Sequence, residues 1–178
     1  ATGSYTVYGT EFLIQKQFSG FYAWLSYTWN NNRYHFDGVS PSRFDSNFEI
    51  AHTVNSAIIY ELYNFKLALG SRWYTGRPYT AAMSSEPVVT IPGFPSVSYD
   101  TVNARRNENF FQVNFSASHT WKIDKGVTLL TGVSVQNLFN RSNILNRYYR
   151  VNNAGNAVEE VNTYALTRTP NARILLSF

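Results

Sequence analysis

The chain is written in period-two alternation, and no apolar stripe of helical period runs along it. Residues 8–18 put Tyr8, Phe12, Ile14 and Phe18 on one parity, with Gly9, Glu11, Gln15 and Gln17 on the other. After Ser19-Gly20, Phe21, Ala23, Leu25, Tyr27 and Trp29 alternate with Tyr22, Trp24, Ser26, Thr28 and Asn30. A Ser-Gly pair between two such runs predicts a tight hairpin. Further strands are predicted over 52–62 and 65–74 around a Tyr63-Asn64 turn, and over 111–121 and 127–138 around Asp124-Lys125-Gly126. A last one closes the chain, with Ala172, Ile174, Leu176 and Phe178 on one parity. Between these pairs lie polar stretches at 31–51, 75–109 and 139–170, rich in Asn, Ser, Thr, Pro and Gly and predicted as loops. The third carries a small hairpin signal at Asn152-Asn153-Ala154-Gly155.

The connections thus run short, long, short, long, short, long. A soluble sandwich has no reason to gather its long loops at one end, whereas a transmembrane barrel has short periplasmic turns and long extracellular loops. The runs also reach about ten residues, what a tilted strand needs to cross a bilayer, against ~5–6 in soluble sheets. The expected fold is all-β: an antiparallel transmembrane β-barrel of about seven meandering strands, residues 1–178 forming one segment.

Composition agrees. Of 178 residues, 17% are aromatic and only 15% charged, which argues against disorder and against an ordinary soluble surface. Cys 0 excludes disulfide frameworks and thiolate metal sites. The net charge of +4 comes from scattered Lys and Arg, so no nucleic-acid groove is indicated. Mean hydropathy is −0.28, and no run approaches the ~18 apolar residues of a membrane helix.

Parity separates the charges. Glu11, Glu61, Lys66, Arg72 and Arg173 fall on the polar side, while Lys16, near a short turn, falls on the apolar one. A cation facing lipid costs roughly 2–4 kcal/mol at the midplane and little near the interface, so Lys16 is tolerable only there. Aromatics gather at both strand ends. Phe65, Trp121 and Phe178 lie near short turns, and Tyr27, Trp29 and Trp73 near long loops, as two membrane-interface girdles would require. The plainer alternative is that aromatics simply favour strands.

Seven strands do not close a bacterial barrel, whose strand number is even. Open edges in lipid would leave backbone groups orphaned at several kcal/mol each. Either a strand is hidden in 140–170, or the chain is a piece of a larger barrel. Ala1 with no leader ahead of the first strand leads to the expectation of a piece.

Gly9-Thr10-Glu11, Ser26-Tyr27-Thr28, His52, Thr75-Gly76-Arg77-Pro78-Tyr79-Thr80, Gln136-Asn137-Leu138-Phe139-Asn140-Arg141 with Asn143-Ile144, and the terminal Phe178 form a set. Together they resemble the C-terminal third of TonB-dependent outer-membrane receptors, over nearly the whole chain. Asn114 departs, standing where this family often carries an Asp. The resemblance implies a bacterial outer-membrane location and a complete protein with a 22-stranded barrel, an N-terminal plug and a TonB-binding box. Such a protein imports a scarce nutrient: an iron chelate, vitamin, oligosaccharide or peptide. Its implied partners are outer-membrane lipid, the rest of the barrel and plug, the TonB complex through the N-terminal part, and the barrel-assembly machinery through the strand ending at Phe178. The alternatives are a self-contained eight-stranded barrel with a structural or adhesive role and, more distantly, a soluble β-barrel binding module.

No catalytic pattern emerges, neither a nucleophile elbow, nor a phosphate loop, nor paired carboxylates, so no enzymatic activity and no cofactor are expected. His35, His52 and His119 lack ligand spacing, and Asp37, Asp45 and Glu49 read as a solvated loop rather than a Ca²⁺ site, so no metal is expected. The substrate-facing candidates are Trp24, Arg72 and Tyr74 on the inward parity, with Arg77, Tyr79, Arg105 and Arg106 beyond. Arg suits carboxylates and phosphates, and aromatic faces suit sugars or chelate rings. The competing role is a structural lumen network in which Glu11 or Glu61 pairs with Lys66 or Arg72.

Overall fold

A computed structural model describes residues 2–178. It is all-β: β1 (Gly3–Phe18), β2 (Phe21–Phe36), β3 (Arg43–Asp45), β4 (His52–Leu62), β5 (Phe65–Tyr74), β6 (Pro78–Tyr79), β7 (Val88–Ile91), β8 (Phe94–Ser96), β9 (Arg105–Arg106), β10 (Phe110–Asp124), β11 (Val127–Gln136), β12 (Ile144–Val151), β13 (Val158–Tyr164) and β14 (Thr169–Ser177). The main sheet is an antiparallel meander in the order β1-β2-β4-β5-β10-β11-β14, with β3 paired to β2. Among the described residues it does not close on itself, so one edge of β1 and one of β14 carry no strand.

Three short turns join the hairpins at one end. Gly20 (φ 71°) and Gly126 (φ 82°) take the left-handed conformation those turns need, and Tyr63 (φ 54°) takes it without glycine's freedom. At the other end the long connections fold into smaller pieces: the two-residue pair β6–β9, the hairpin β7–β8 and the hairpin β12–β13. The turn at 152–155 is where sequence placed it. The segment 140–170, in which an eighth wall strand was one alternative, forms β12–β13, and that hairpin stays outside the main sheet.

The first hairpin is longer than alternation indicated. β1 begins at Gly3 and β2 continues to Phe36, through Asn30-Asn31-Asn32, so the loop expected from residue 31 begins as strand. Composition reads three asparagines as loop, but aromatic contacts hold the extension. Tyr5 lies 4.9 Å from Tyr34, and Phe44 on β3 packs 5.8 Å from Tyr34 and 6.1 Å from Phe36.

Register keeps the two faces apart across all seven strands. One row reads Phe12, Tyr27, Val54, Trp73, Phe111, and the next but one reads Lys16, Ala23, Ile58, Leu69, Phe115, Val135. The opposite face carries rows such as Gln15, Trp24, Ala57, Gly70, Asn114 and Glu61, Lys66, Ser118, Gly132, Arg173. Lys16 sits one outward-facing pair from the β1–β2 turn with its ammonium over the Phe18 ring at 5.1 Å.

Almost no core exists. Among the described residues the buried hydrophobic side chains are Tyr74, Phe110 and Val113, with Pro78 also buried. Phe12, Ile14 and Ile174 are open to solvent, and every residue of β1 is exposed. The chain exposes 12085 Å². A compact monomer of 20.3 kDa exposes roughly 8,800 Å². The sheet is therefore a single layer with nothing packed on either face.

Candidate functional site

The long connections converge at the end of the sheet away from the short turns, and a glycine decides how. In the Gly-Arg-Pro-Tyr-Thr segment, Gly76 lies so close to the returning limb that a Cβ there would stand 1.8 Å from the Asn107 carbonyl oxygen. Only a residue without a side chain permits that approach. The Asn107 N–H then donates to Arg77 O at 3.0 Å, and β6 pairs with β9. Arg77, Tyr79 and Asn107 are thereby gathered at one place.

The β12–β13 hairpin leans over this pair. Arg147 donates from Nη1 to the Tyr79 hydroxyl at 3.0 Å and stacks its guanidinium over the same ring at 4.9 Å. Its Nε donates to Asn162 Oδ1 at 3.0 Å and lies 3.3 Å from Glu160 Oε1. Glu160 also accepts from Asn162 Nδ2 at 2.8 Å and from the Tyr149 hydroxyl at 3.1 Å. Burial, and then the bond to that carboxylate, push the Tyr149 phenol up to about 12. The Asn162 bond, opposed in part by burial and helped by Tyr149 and Arg147, holds Glu160 below its ordinary value. Tyr99 reaches across to donate to the Tyr149 carbonyl at 3.3 Å.

Between these groups lies a cavity of about 460 Å³, walled by Phe48 and Asn47 from the first long connection, Arg77, Tyr79, Tyr99 and Asn107 from the second, and Arg147 and Tyr149 from the third. All three long connections contribute, and among the described residues no carboxylate lines it. Arg77 Nε and Asn107 Oδ1, on two of the lining residues, are themselves sealed from solvent and have no hydrogen-bond partner among the described residues.

The sequence candidates divide. Arg77 and Tyr79 reach the cavity. Arg105 is opposite Tyr79 in the β6–β9 pair. Arg106 serves a neighbouring clasp: its Nη2 donates to Asp45 Oδ2 at 2.6 Å and to Glu49 Oε2, and Nη1 donates to Gly76 O at 3.3 Å. Arg33 adds a contact to Asp45 at 3.4 Å. Asp45 and Glu49 are thus bound up by arginine rather than solvated as sequence suggested; the Glu49 side chain is 1% exposed. Trp24, Arg72 and Tyr74 lie on the polar face of the sheet outside the cavity. Arg72 covers the Tyr74 ring at 5.3 Å, and Tyr74 stacks on Phe110 at 4.4 Å. Glu61 and Lys66 pair at 2.7 Å across the β4–β5 turn.

The aromatic candidates occupy both ends of the other face. Toward the long connections Tyr27 stacks on Phe12 and bonds His52 Nδ1 at 2.9 Å, Trp29 meets Tyr8 edge-on at 5.7 Å, and Trp73 is opposite Phe111. Toward the short turns His119 sits between Phe65 at 4.0 Å and Trp121 at 4.2 Å, and Phe178 ends the chain almost fully exposed.

Arg147, Tyr149, Tyr99 and Asn107 escaped the sequence reading. The Asn-Arg-Tyr-Tyr-Arg run beside a predicted hairpin was a usable signal, but nothing local says that it folds onto Tyr79, 68 residues away.

The Asn-Leu-Phe-Asn-Arg segment acquires a mechanical account. Asn137 (φ 50°) donates from Nδ2 to the carbonyls of Arg141 (2.8 Å) and Leu166 (3.0 Å) and accepts the Arg141 N–H at 3.0 Å. Its own N–H reaches Asn114 Oδ1 at 3.0 Å, which also accepts from Gln112 Nε2 at 2.8 Å. Asn114 therefore supplies here the oxygen acceptor that an Asp would offer. Asn143 closes both backbone groups of Phe111 at 2.9 Å, standing in for a strand neighbour. Among the described residues no group of His, Asp and Glu is arranged to hold a metal ion. No family model, no curated protein and no solved structure matches the chain.

Proposed function

We propose that the chain is the C-terminal wall of a TonB-dependent outer-membrane receptor, a β-barrel that imports a scarce nutrient across the bacterial outer membrane. The carrying observation is the single-layer sheet: seven meandering strands, apolar on one face and polar on the other, with every short turn at one end. Lipid on one side and a polar lumen on the other account for both faces. Phe65 and Trp73 are eight residues apart on β5. That is about 27 Å of extended chain, or about 21 Å along the membrane normal at the usual strand tilt, slightly less than the ~25 Å apolar band of outer-membrane barrels. The bare edges of β1 and β14 favour a larger barrel over the eight-stranded alternative, because neither edge is tolerable in lipid without neighbouring strands. The soluble module is disfavoured because the apolar parity has no interior to enter. Energised import would require the plug, the TonB box and the TonB complex. Assembly would use the strand ending at Phe178.

Single-cysteine labelling of the full-length receptor tests the topology in a chain that has no cysteine of its own. Asn153→Cys, in the β12–β13 turn, should react on intact cells with a membrane-impermeant maleimide. Lys125→Cys, in a short turn, should react only after the outer membrane is permeabilised. Recovery of the protein from the soluble fraction, or the reverse labelling, sinks the proposal. Loss of nutrient uptake on deletion of TonB tests energisation separately.

A further inference from the structure

Past the last paired row of β11 and β14, the chain builds a small amphipathic patch at the loop end of the sheet. That row joins Gln136 to Thr169, and the next residues on the two limbs are Asn137 and Arg168. Phe139 stacks on Phe111 at 6.3 Å and so extends the apolar row of Trp73 and Phe111 by one ring. Phe139 is 63% exposed and Leu166 is 66% exposed. Two arginines belong to the same patch. Arg141 donates from Nη2 to the Asn109 carbonyl at 3.1 Å, and Arg168 donates from Nε to the Leu138 carbonyl at 3.0 Å. Both backbones are fastened to one asparagine turn. The Arg141 N–H donates to Asn137 Oδ1 at 3.0 Å and the Arg168 N–H to Asn140 Oδ1 at 2.9 Å, while Asn137 Nδ2 holds the Leu166 carbonyl at 3.0 Å.

The two guanidiniums are therefore anchored but not spent. Both residues are exposed, and among the described residues neither makes an ion pair. After one bond to a carbonyl, a guanidinium keeps most of its N–H donors, in the fork that fits a phosphate. Fixed cations beside exposed apolar side chains are complementary to an anionic amphiphile, headgroup on the arginines and hydrocarbon on the rings. We propose that Arg141 and Arg168 bind the phosphorylated headgroup of an outer-leaflet lipid, with an acyl chain lying on Phe139 and the apolar face beside it. The inference rests on the membrane reading above, in which the long connections mark the outer interface. A soluble anion would use the arginines and leave the rings bare. A neutral lipid would cover Phe139 and Leu166 and leave both cations unmatched.

The test uses purified full-length receptor in detergent micelles, loaded with bisphosphorylated lipid A, and counts the lipid retained per protein by native mass spectrometry. Wild type should retain it well above dephosphorylated lipid A with the same acyl chains, a comparison that needs no variant to fold. Arg141→Gln and Arg168→Gln should each lower retention roughly fivefold, and the double variant roughly thirtyfold. Phe139→Ala should also lower it. Arg173→Gln, which removes an arginine from the polar face, should match wild type. Equal retention of the two lipids, full retention by the double variant, or displacement by equimolar inorganic phosphate overturns the proposal. If retention fails while Asn153→Cys and Lys125→Cys label as expected, this site alone is wrong. Recovery of the receptor from the soluble fraction overturns the membrane reading itself.

Discussion

Removing Arg106 should loosen the loop end of the sheet, and the structure sets the size of the effect. Arg106→Ala strips the Glu49 carboxylate of its cation and leaves it one bond, from the Asn32 N–H at 3.3 Å. Breaking a buried ion pair from one side costs about 3–5 kcal/mol. Arg106 is itself 38% exposed and Asp45 28%, so water and the remaining Arg33 contact soften the loss. We expect about 2–3 kcal/mol, confined to the clasp. That raises the population of the open loop roughly 30- to 150-fold. Native-state amide exchange on the full-length protein reads it directly at Asn32, bonded to Glu49, at Ser46, bonded to Asn32 O, and at Asn107, bonded to Arg77 O. Amides in the middle of β5 and β10 should not change. Combining Arg106→Ala with Glu49→Gln should cost less than Arg106→Ala alone, because the stranded charge has gone. The reasoning fails if exchange at these three amides stays within twofold of wild type, or if the double variant is no better than the single.

Four other outcomes follow from the same geometry. Gly76→Ala should separate β6 from β9, since its Cβ would overlap the Asn107 carbonyl, whereas Gly93→Ala, with open space around it, should cost only the ~1–2 kcal/mol of its left-handed φ; thermal melting distinguishes them. Asn137→Ala should destabilise the β11–β14 junction by about 3 kcal/mol, from three lost hydrogen bonds and a strained φ, read as a lowered unfolding midpoint in denaturant. Leu69→Arg, in the apolar row, should cost roughly 2–4 kcal/mol in lipid, while Ser116→Arg on the polar face should fold near wild type, checked by refolding into bilayers. The Tyr149 phenol ionises at about 12 in the folded state against 10.0 in the unfolded, so its contribution to stability is complete below pH 10 and fades as pH rises toward 12; the ultraviolet difference titration between wild type and Tyr149→Phe should show a phenolate appearing near 12, and one appearing near 10 would sink the hairpin network.

The main sheet was legible in the chain and the arrangement of the loops was not. Alternation has period two, so each strand declares its two faces locally, and Ser-Gly or Lys-Gly between runs declares the turn. Seven strands of the main sheet, their order and their short turns therefore follow from sequence, with errors at strand ends, chiefly where β1 begins at Gly3 and where asparagines masked the continuation of β2. The loops obey no such local rule. Whether Arg106 meets a ligand or Glu49, and whether Tyr79 meets Arg147, depends on contacts 57 and 68 residues apart in the chain. Side-chain chemistry alone could nominate Arg77, Arg105 and Arg106 equally. Only the folded loops, by occupying Arg106 and leaving Arg77 without a partner, decided between them, because a charge finds its role in whichever neighbour desolvates or pairs it. In the same way alternation alone yields a two-faced strand, while the bare edges of β1 and β14 belong to the assembled sheet, where hydrogen bonding between strands is either satisfied or left open.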